Sequence, residues 1–188
     1  MKLFLISSIS LSIALIFLGF DKHSELSEHS EKHLHELINF EMATDTIPDS
    51  FPFQKTDAEW KEILTSSQFR ILRKKGTEFP YVNEYFDSNE DGIYVCAGCG
   101  QKLYDSKHKY KSGTGWPSFW KPIDESLVVE LEDKSLFMTR TEIVCSNCGG
   151  HIGHVFDDGP RPTNLRYCMN SAAMKLVDRN KLPEVVKN

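Results

Sequence analysis

The stretch Thr141–Leu176, TEIVCSNCGGHIGHVFDDGPRPTNLRYCMNSAAMKL, holds three of the five cysteines and two of the seven histidines of this 188-residue chain. Cys145 and Cys148 form a C-x-x-C knuckle inside it, and a matching pair, Cys96 and Cys99, stands upstream. Two such knuckles supply four soft thiolates, the number that a closed tetrahedral structural zinc requires. Each knuckle runs into glycine, Gly100 in one case and Gly149-Gly150 in the other, which suits a tight metal-binding turn. The competing use of C-x-x-C is a redox pair, but that motif opens a helix within a strand-helix-strand pattern, and no such alternation is present. Disulfides are the other rival in an oxidising compartment, although loops this short would cross-link little. A structural zinc contributes about 10–16 kcal/mol toward folding, as much as the whole stability of an ordinary domain. Its part here is architecture: it joins two hairpins that are far apart in sequence.

That accounting leaves Cys168 over, in the run Leu165-Arg166-Tyr167-Cys168-Met169-Asn170. On a strand, alternate side chains share a face, so Arg166, Cys168 and Asn170 lie on one side. A guanidinium two residues from a thiol favours the thiolate, the reactive form. The plainer reading is a buried, inert cysteine. His151 and His154, three apart around Ile152-Gly153, can converge on one pocket as proton donors and are superfluous as zinc ligands. A third stretch, Ser112-Gly113-Thr114-Gly115-Trp116-Pro117-Ser118-Phe119-Trp120, places two tryptophans on a loop loosened by glycines. They fit either as core plugs or as the wall of a pocket for a small apolar group such as the methyl of a thioether or sulfoxide.

Outward from these motifs, composition narrows the class. The chain is 40% hydrophobic and 26% charged, which is globular. The formal charge of −5 belongs to the N-terminal tract: residues 21–50 carry eight acidic and two basic residues, and residues 51–188 carry 19 of each sign. A neutral remainder offers no footprint for nucleic acid. Residues 3–20 form an uncharged apolar stretch behind Lys2, spanning about 27 Å as a helix. It reads as a membrane anchor or a removed signal peptide, and no small-x-small cleavage site closes it. With one cation before it and acids after it, the remainder is expected outside the cytoplasm, in the periplasm or cell envelope. Residues 21–55 read as an acidic linker dotted with His23, His29, His33 and His35, and residues 181–188 as a short tail.

The domain proper is expected over residues 56–180. Thr56 or Asp57 caps a first helix with Trp60, Ile63 and Leu64 on one face; a second runs from Ser66 or Ser67 to Lys75, stopped by Gly76. Strands follow: Gly92–Cys96 into the first knuckle, Leu127–Leu131, Ser135–Val144 into the second knuckle, then strand, turn and strand over Asn164–Val177. Strands outnumber helices after residue 80, so the domain is mainly β (α+β).

SGTGWPSFW, CGGHIGHVFDDGP and LRYCMNS, set between two C-x-x-C pairs, resemble the peptide-methionine (R)-S-oxide reductase family over roughly Thr56–Val177. The resemblance implies two antiparallel sheets, a β-tent, with short helices outside and a zinc ion on Cys96, Cys99, Cys145 and Cys148. It implies reduction of the R epimer of methionine sulfoxide, mainly in oxidised proteins. Cys168 would be the nucleophile that becomes a sulfenic acid, with Trp116 and Phe156 receiving the substrate. His151, His154, Arg166 and Asn170 would position and protonate the sulfoxide oxygen. The implied partners are oxidised proteins and an external thiol reductant of the thioredoxin kind, with the enzyme acting as a monomer. Many members carry a resolving cysteine where this chain has Thr114, so regeneration of Cys168 is expected to use an outside thiol. Asn83 and Asn164 stand where the family usually has glycine; asparagine tolerates a left-handed backbone. Two other classes compete: a zinc-stabilised binding module without catalysis, and a disulfide oxidoreductase with metal-free C-x-x-C pairs.

Overall fold

A computed structural model describes residues 50–135 and 138–181. The apolar stretch 3–20, the linker through residue 49 and the tail from residue 182 lie outside the described residues. Among those described, no helix is long and apolar enough to cross a membrane.

Two helices come first among the described residues, and their ends obey local chemistry. Helix α1 spans Asp57–Ile63 and α2 spans Ser66–Lys74. Thr56 and Thr65 each close a reciprocal capping box, with Glu59 and Gln68 respectively. The stop of α2 differs from expectation by one residue. Lys75, not Gly76, takes the left-handed conformation (φ 52°), and Gly76 N closes the helix end on Arg70 O at 3.0 Å; the Lys75 ammonium meets Glu142 Oε2 at 2.6 Å. A Cβ at Gly76 would lie 3.0 Å from Arg70 O and 2.7 Å from the movable Arg70 guanidinium, so the position is tight but does not itself require glycine.

Nine strands follow among the described residues: β1 Ile93–Cys96, β2 Lys102–Asp105, β3 Lys109–Tyr110, β4 Ser118–Phe119, β5 Val128–Asp133, β6 Arg140–Cys145, β7 His151–Phe156, β8 Arg166–Met169 and β9 Met174–Val177. They form two antiparallel sheets, one ordered β2-β1-β9 and the other β3-β4-β8-β7-β6-β5. The expected mainly β architecture with helices outside is what is found. The strand expected over Ser135–Val144 begins only at Arg140, because the Asp133 carboxylate accepts from Ser135 N at 2.9 Å and turns the chain. Strand β7 went unassigned in the sequence, since glycine and two histidines blunt the apolar alternation.

An aromatic core lies between the sheets. Phe119 stacks on Tyr104 and meets Tyr94 edge-on; Tyr167 and Tyr85 flank them. The helices cover the cysteine knuckles. Trp60 is buried over Gly98 and Leu72 over Gly150, and half-buried Phe51 lies over Gly149, where an added Cβ would sit 2.3 Å from the phenyl ring. Arg73 stacks on Trp60 and donates to Cys148 O at 2.9 Å. Phe53 joins this cover, edge-on to Trp60, while its N–H donates to Asn147 O.

Candidate active site

The larger sheet lines up one residue per strand. Leu131, Glu142, His154, Cys168, Ser118 and Tyr110 stand directly opposite one another across β5, β6, β7, β8, β4 and β3. Antiparallel partners in register share a face, so these side chains project together. Two residues along each strand, Asp133, Arg140, Phe156 and Arg166 join the same face.

His151 reaches that face by an irregularity. A regular strand would send residues 151 and 154 to opposite sides. The β6–β7 register shifts, pairing Ile143 with Gly153 and Val144 with His151, which leaves Ile152 as an extra residue. This bulge restores parity: His151 and His154 lie with ring centroids 5.3 Å apart. Each is held by a carboxylate. His151 Nδ1 is 2.7 Å from Glu142 Oε1, and His154 Nε2 is 2.8 Å from Asp133 Oδ2. Arg140 closes the second pair, donating to Asp133 Oδ2 at 2.6 Å.

A cavity of about 130 Å³ opens on this face, lined by Trp116, His154, Phe156, Cys168 and Asn170, with Thr77 and Arg140 at its sides. Five of the residues singled out in the sequence therefore meet in one concavity. His151 and Arg166 stand behind it. Arg166 packs over the Phe156 ring, 4.3 Å from its centroid, and grips Asp158 through two bonds of 2.8 and 2.9 Å. His151 is almost fully buried, with Nε2 lacking a hydrogen-bond partner. Trp116 is fixed by its indole N–H on Glu78 O at 3.1 Å, and Asn170 by Ile152 O and Glu78 N.

The electrostatics differ from the sequence expectation at one point. Burial pushes the Cys168 thiol above its ordinary value, and Arg166 and Thr114 only partly offset it. The guanidinium divides its charge between the thiol and Asp158, so the resting sulfur is a thiol at neutral pH. His154 is depressed by burial, which outweighs the Asp133 carboxylate. Asp133 itself sits far below the usual carboxylate range through Ser135, with His154 and Arg140 adding to the effect. An ionised carboxylate only accepts, so His154 Nε2 carries the proton and Nδ1 is the free base.

The four knuckle cysteines form a second, separate cluster. Their sulfurs all lie within 4.8 Å of one another, with 3.7 Å between Cys96 and Cys148 and 3.5 Å between Cys99 and Cys145. Tetrahedral zinc with Zn–S of about 2.3 Å sets its sulfurs about 3.8 Å apart, whereas a disulfide needs about 2.05 Å. The donor set fits zinc. The two knuckles have matching turns: Gly100 N donates to Cys96 O and Gly149 N to Cys145 O, with φ of 77° and 65° at the glycines. Cys168 is no part of this cluster.

Sequence reasoning missed Asp133, Arg140, Glu142 and Thr77. Glu142 left a trace, a carboxylate directly before the apolar run Ile143-Val144-Cys145. Asp133 left none, because its importance comes from a neighbouring strand.

A family model, the SelR domain, matches residues 64–178. The chain is 54% identical to the peptide methionine sulfoxide reductase MsrB of Hahella chejuensis over 122 residues, covering 65% of this chain and 88% of that protein. It is 52% identical to the protein of the same name from Leptospira interrogans over 126 residues, 67% of this chain and 96% of the relative. The corresponding protein of Methanosarcina barkeri is 51% identical over 121 residues, 64% and 85% of the two chains.

Proposed function

Since the chain belongs to the SelR-domain family of peptide methionine sulfoxide reductases MsrB, we propose that it reduces the R epimer of peptide-bound methionine sulfoxide to methionine with Cys168 as nucleophile. The observation that carries this reading is the convergence of Cys168, His154 and Trp116 on one small cavity, apart from the four metal-binding sulfurs.

The chemistry follows from the charges of the resting site. A sulfoxide sulfur is a poor electrophile until its oxygen takes a proton, so nucleophile and acid must be held together. The Cys168 thiol gives its proton to His154 Nδ1; Asp133 stabilises the resulting imidazolium through Nε2–H. The thiolate attacks the sulfoxide sulfur while the imidazolium protonates the oxygen. The S–S-bonded adduct so formed passes its hydroxyl from the substrate sulfur to the Cys168 sulfur: the substrate S–O and the new S–S bonds break, the Cys168 S–O bond forms, the thioether leaves, and Cys168 is oxidised to a sulfenic acid as the sulfoxide is reduced, with no net proton consumed. Trp116 and Phe156 face the substrate methyl and exclude water. Zinc supplies no step; bound by Cys96, Cys99, Cys145 and Cys148, it holds the scaffold.

Regeneration falls to an outside dithiol of the thioredoxin kind. One thiol attacks the sulfenic acid, expelling water and forming a mixed disulfide; the second thiol releases Cys168 as a thiol and leaves as a disulfide. Thr114 Oγ1, 4.0 Å from Cys168 Sγ, stands nearby but cannot serve as a resolving sulfur. The N-terminal stretch 3–20 carries the further proposal that the domain works outside the cytoplasm, tethered at the membrane, to be tested by fractionating expressing cells.

The deciding experiment offers each epimer of N-acetyl-methionine sulfoxide with dithiothreitol to the wild type and to Cys168→Ser. Turnover of the R form alone, abolished in the variant, is expected, with mass spectrometry after one reductant-free turnover finding one oxygen on Cys168 and no internal disulfide. Turnover of the S form alone, or an active Cys168→Ser protein, overturns the proposal.

A further inference from the structure

Beside the cavity, the segment Glu78–Tyr85 displays apolar side chains to solvent on a backbone that is tightly fixed. Phe79 is 82% exposed, Val82 83% and Tyr81 59%, three of the five large exposed hydrophobics among the described residues. Single exposed apolar residues are ordinary; several together on one short segment mark a contact surface.

The segment is not a loose loop. Buried Asn83 donates to Phe79 O and Gly115 O and accepts from Ser171 Oγ. Tyr81 N donates to Gly115 O at 2.8 Å, and the Tyr81 hydroxyl donates to Gly113 O. Tyr81 takes a left-handed backbone (φ 62°), a conformation that a bulky residue keeps only when its surroundings impose it. Gly115 permits this docking, for a Cβ there would meet Pro80 and Tyr81 at 2.7–2.9 Å. Tyr81 thus anchors the turn while Phe79 and Val82 are held outward.

The position of the segment says what it faces. Thr77 lines the cavity, Glu78 O receives the Trp116 indole, and Glu78 N bonds Asn170. Phe79 therefore stands two residues along the chain from Thr77 in the cavity wall. At about 130 Å³ the cavity holds only the end of one side chain, well below the several hundred Å³ typical of a site that encloses a whole small ligand. The polypeptide carrying an oxidised methionine must lie outside it, across this rim.

We propose that Phe79, Tyr81 and Val82 form a platform that binds an apolar residue flanking the oxidised methionine, so that the enzyme prefers sulfoxides with apolar neighbours in the chain. The proposal rests on the reductase reading above and names its substrate class. The platform adds affinity for the flank and leaves the reacting centre untouched.

The test uses three R-sulfoxide substrates: N-acetyl-methionine sulfoxide amide, a peptide with leucine on both sides of the sulfoxide, and the same peptide with aspartate. The wild type should show kcat/KM for the leucine peptide about tenfold above that for the aspartate peptide, equivalent to about 1.4 kcal/mol. Phe79→Ser/Val82→Ser should abolish that ratio while turning over the amide at the wild-type rate; both positions are exposed, and a melting curve checks the fold. In parallel, fluorescence anisotropy with Cys168→Ser should find the leucine peptide bound more tightly, and the preference lost with the two serines. Equal use and equal binding of both peptides, or a preference that survives the double variant, overturns the platform. A wild-type dimer that the double variant dissolves gives the surface to a second copy instead. Loss of all turnover with the binding preference intact refutes the reductase reading and leaves the platform standing.

Discussion

At Cys168 two influences oppose one another, and their balance sets the chemistry. Burial favours the neutral thiol; Arg166 favours the thiolate but is partly neutralised by Asp158. Alkylation of Cys168 by iodoacetamide, followed by mass spectrometry of that residue alone, should therefore accelerate with a midpoint above the ordinary thiol value of 9.0. The sign is fixed: the thiolate reacts, and a raised pKa postpones it to higher pH. Arg166→Met removes the opposing charge, moves the midpoint higher still, and should lower kcat/KM on the order of 10²-fold. A wild-type midpoint near neutrality would show that the guanidinium prevails. The sequence placed Arg166 and Cys168 on one face through strand periodicity alone. It could not reveal Asp158, which reaches Arg166 from the loop after β7 and reduces what the arginine can do.

Among the elements, β7 matters most for assembling the site and was the hardest to read. Its bulge at Ile152 brings His151 and His154 to one face, and its close approach to β8 sets His154 opposite Cys168. Gly153 makes that approach possible: a Cβ there would lie 2.1 Å from Cys168 O and 2.9 Å from the Met169 Cα. Backbone cannot yield as a side chain end can. Gly153→Ala should separate the two strands, costing about 1–3 kcal/mol or more of stability. It should depress kcat/KM more than its melting temperature suggests, because the nucleophile moves with β8. Thermal melts beside steady-state rates decide this; wild-type activity in Gly153→Ala would show that the row of facing residues is dispensable. Helices α1 and α2, by contrast, announced themselves through Thr56, through the face of Trp60, Ile63 and Leu64, and through the register of Phe69, Leu72 and Arg73, because capping and helical periodicity are local.

On the scale of the whole molecule, the cysteine cluster ties the end of β1 in one sheet to the end of β6 in the other. Metal analysis should find one zinc per chain. Its removal, by a strong chelator or by Cys99→Ser, forfeits a binding energy of about 10–16 kcal/mol, against a typical domain stability of about 5–15 kcal/mol. The chelated protein should unfold at room temperature by circular dichroism; an unchanged melting curve would show that the helices and the aromatic core suffice. The sequence alone determined the zinc ligands, the leftover Cys168, the two helices and the mainly β character, since each depends on residue type at short, fixed spacing. Tertiary structure alone decided that Glu142 and Asp133 hold the two histidines and that burial outweighs Arg166 at the thiol. It alone set the apolar rim of Phe79 and Val82 beside the cavity. Those features arise where strands remote in sequence come into register, and no local pattern records which residues will then stand opposite or how much water remains between them.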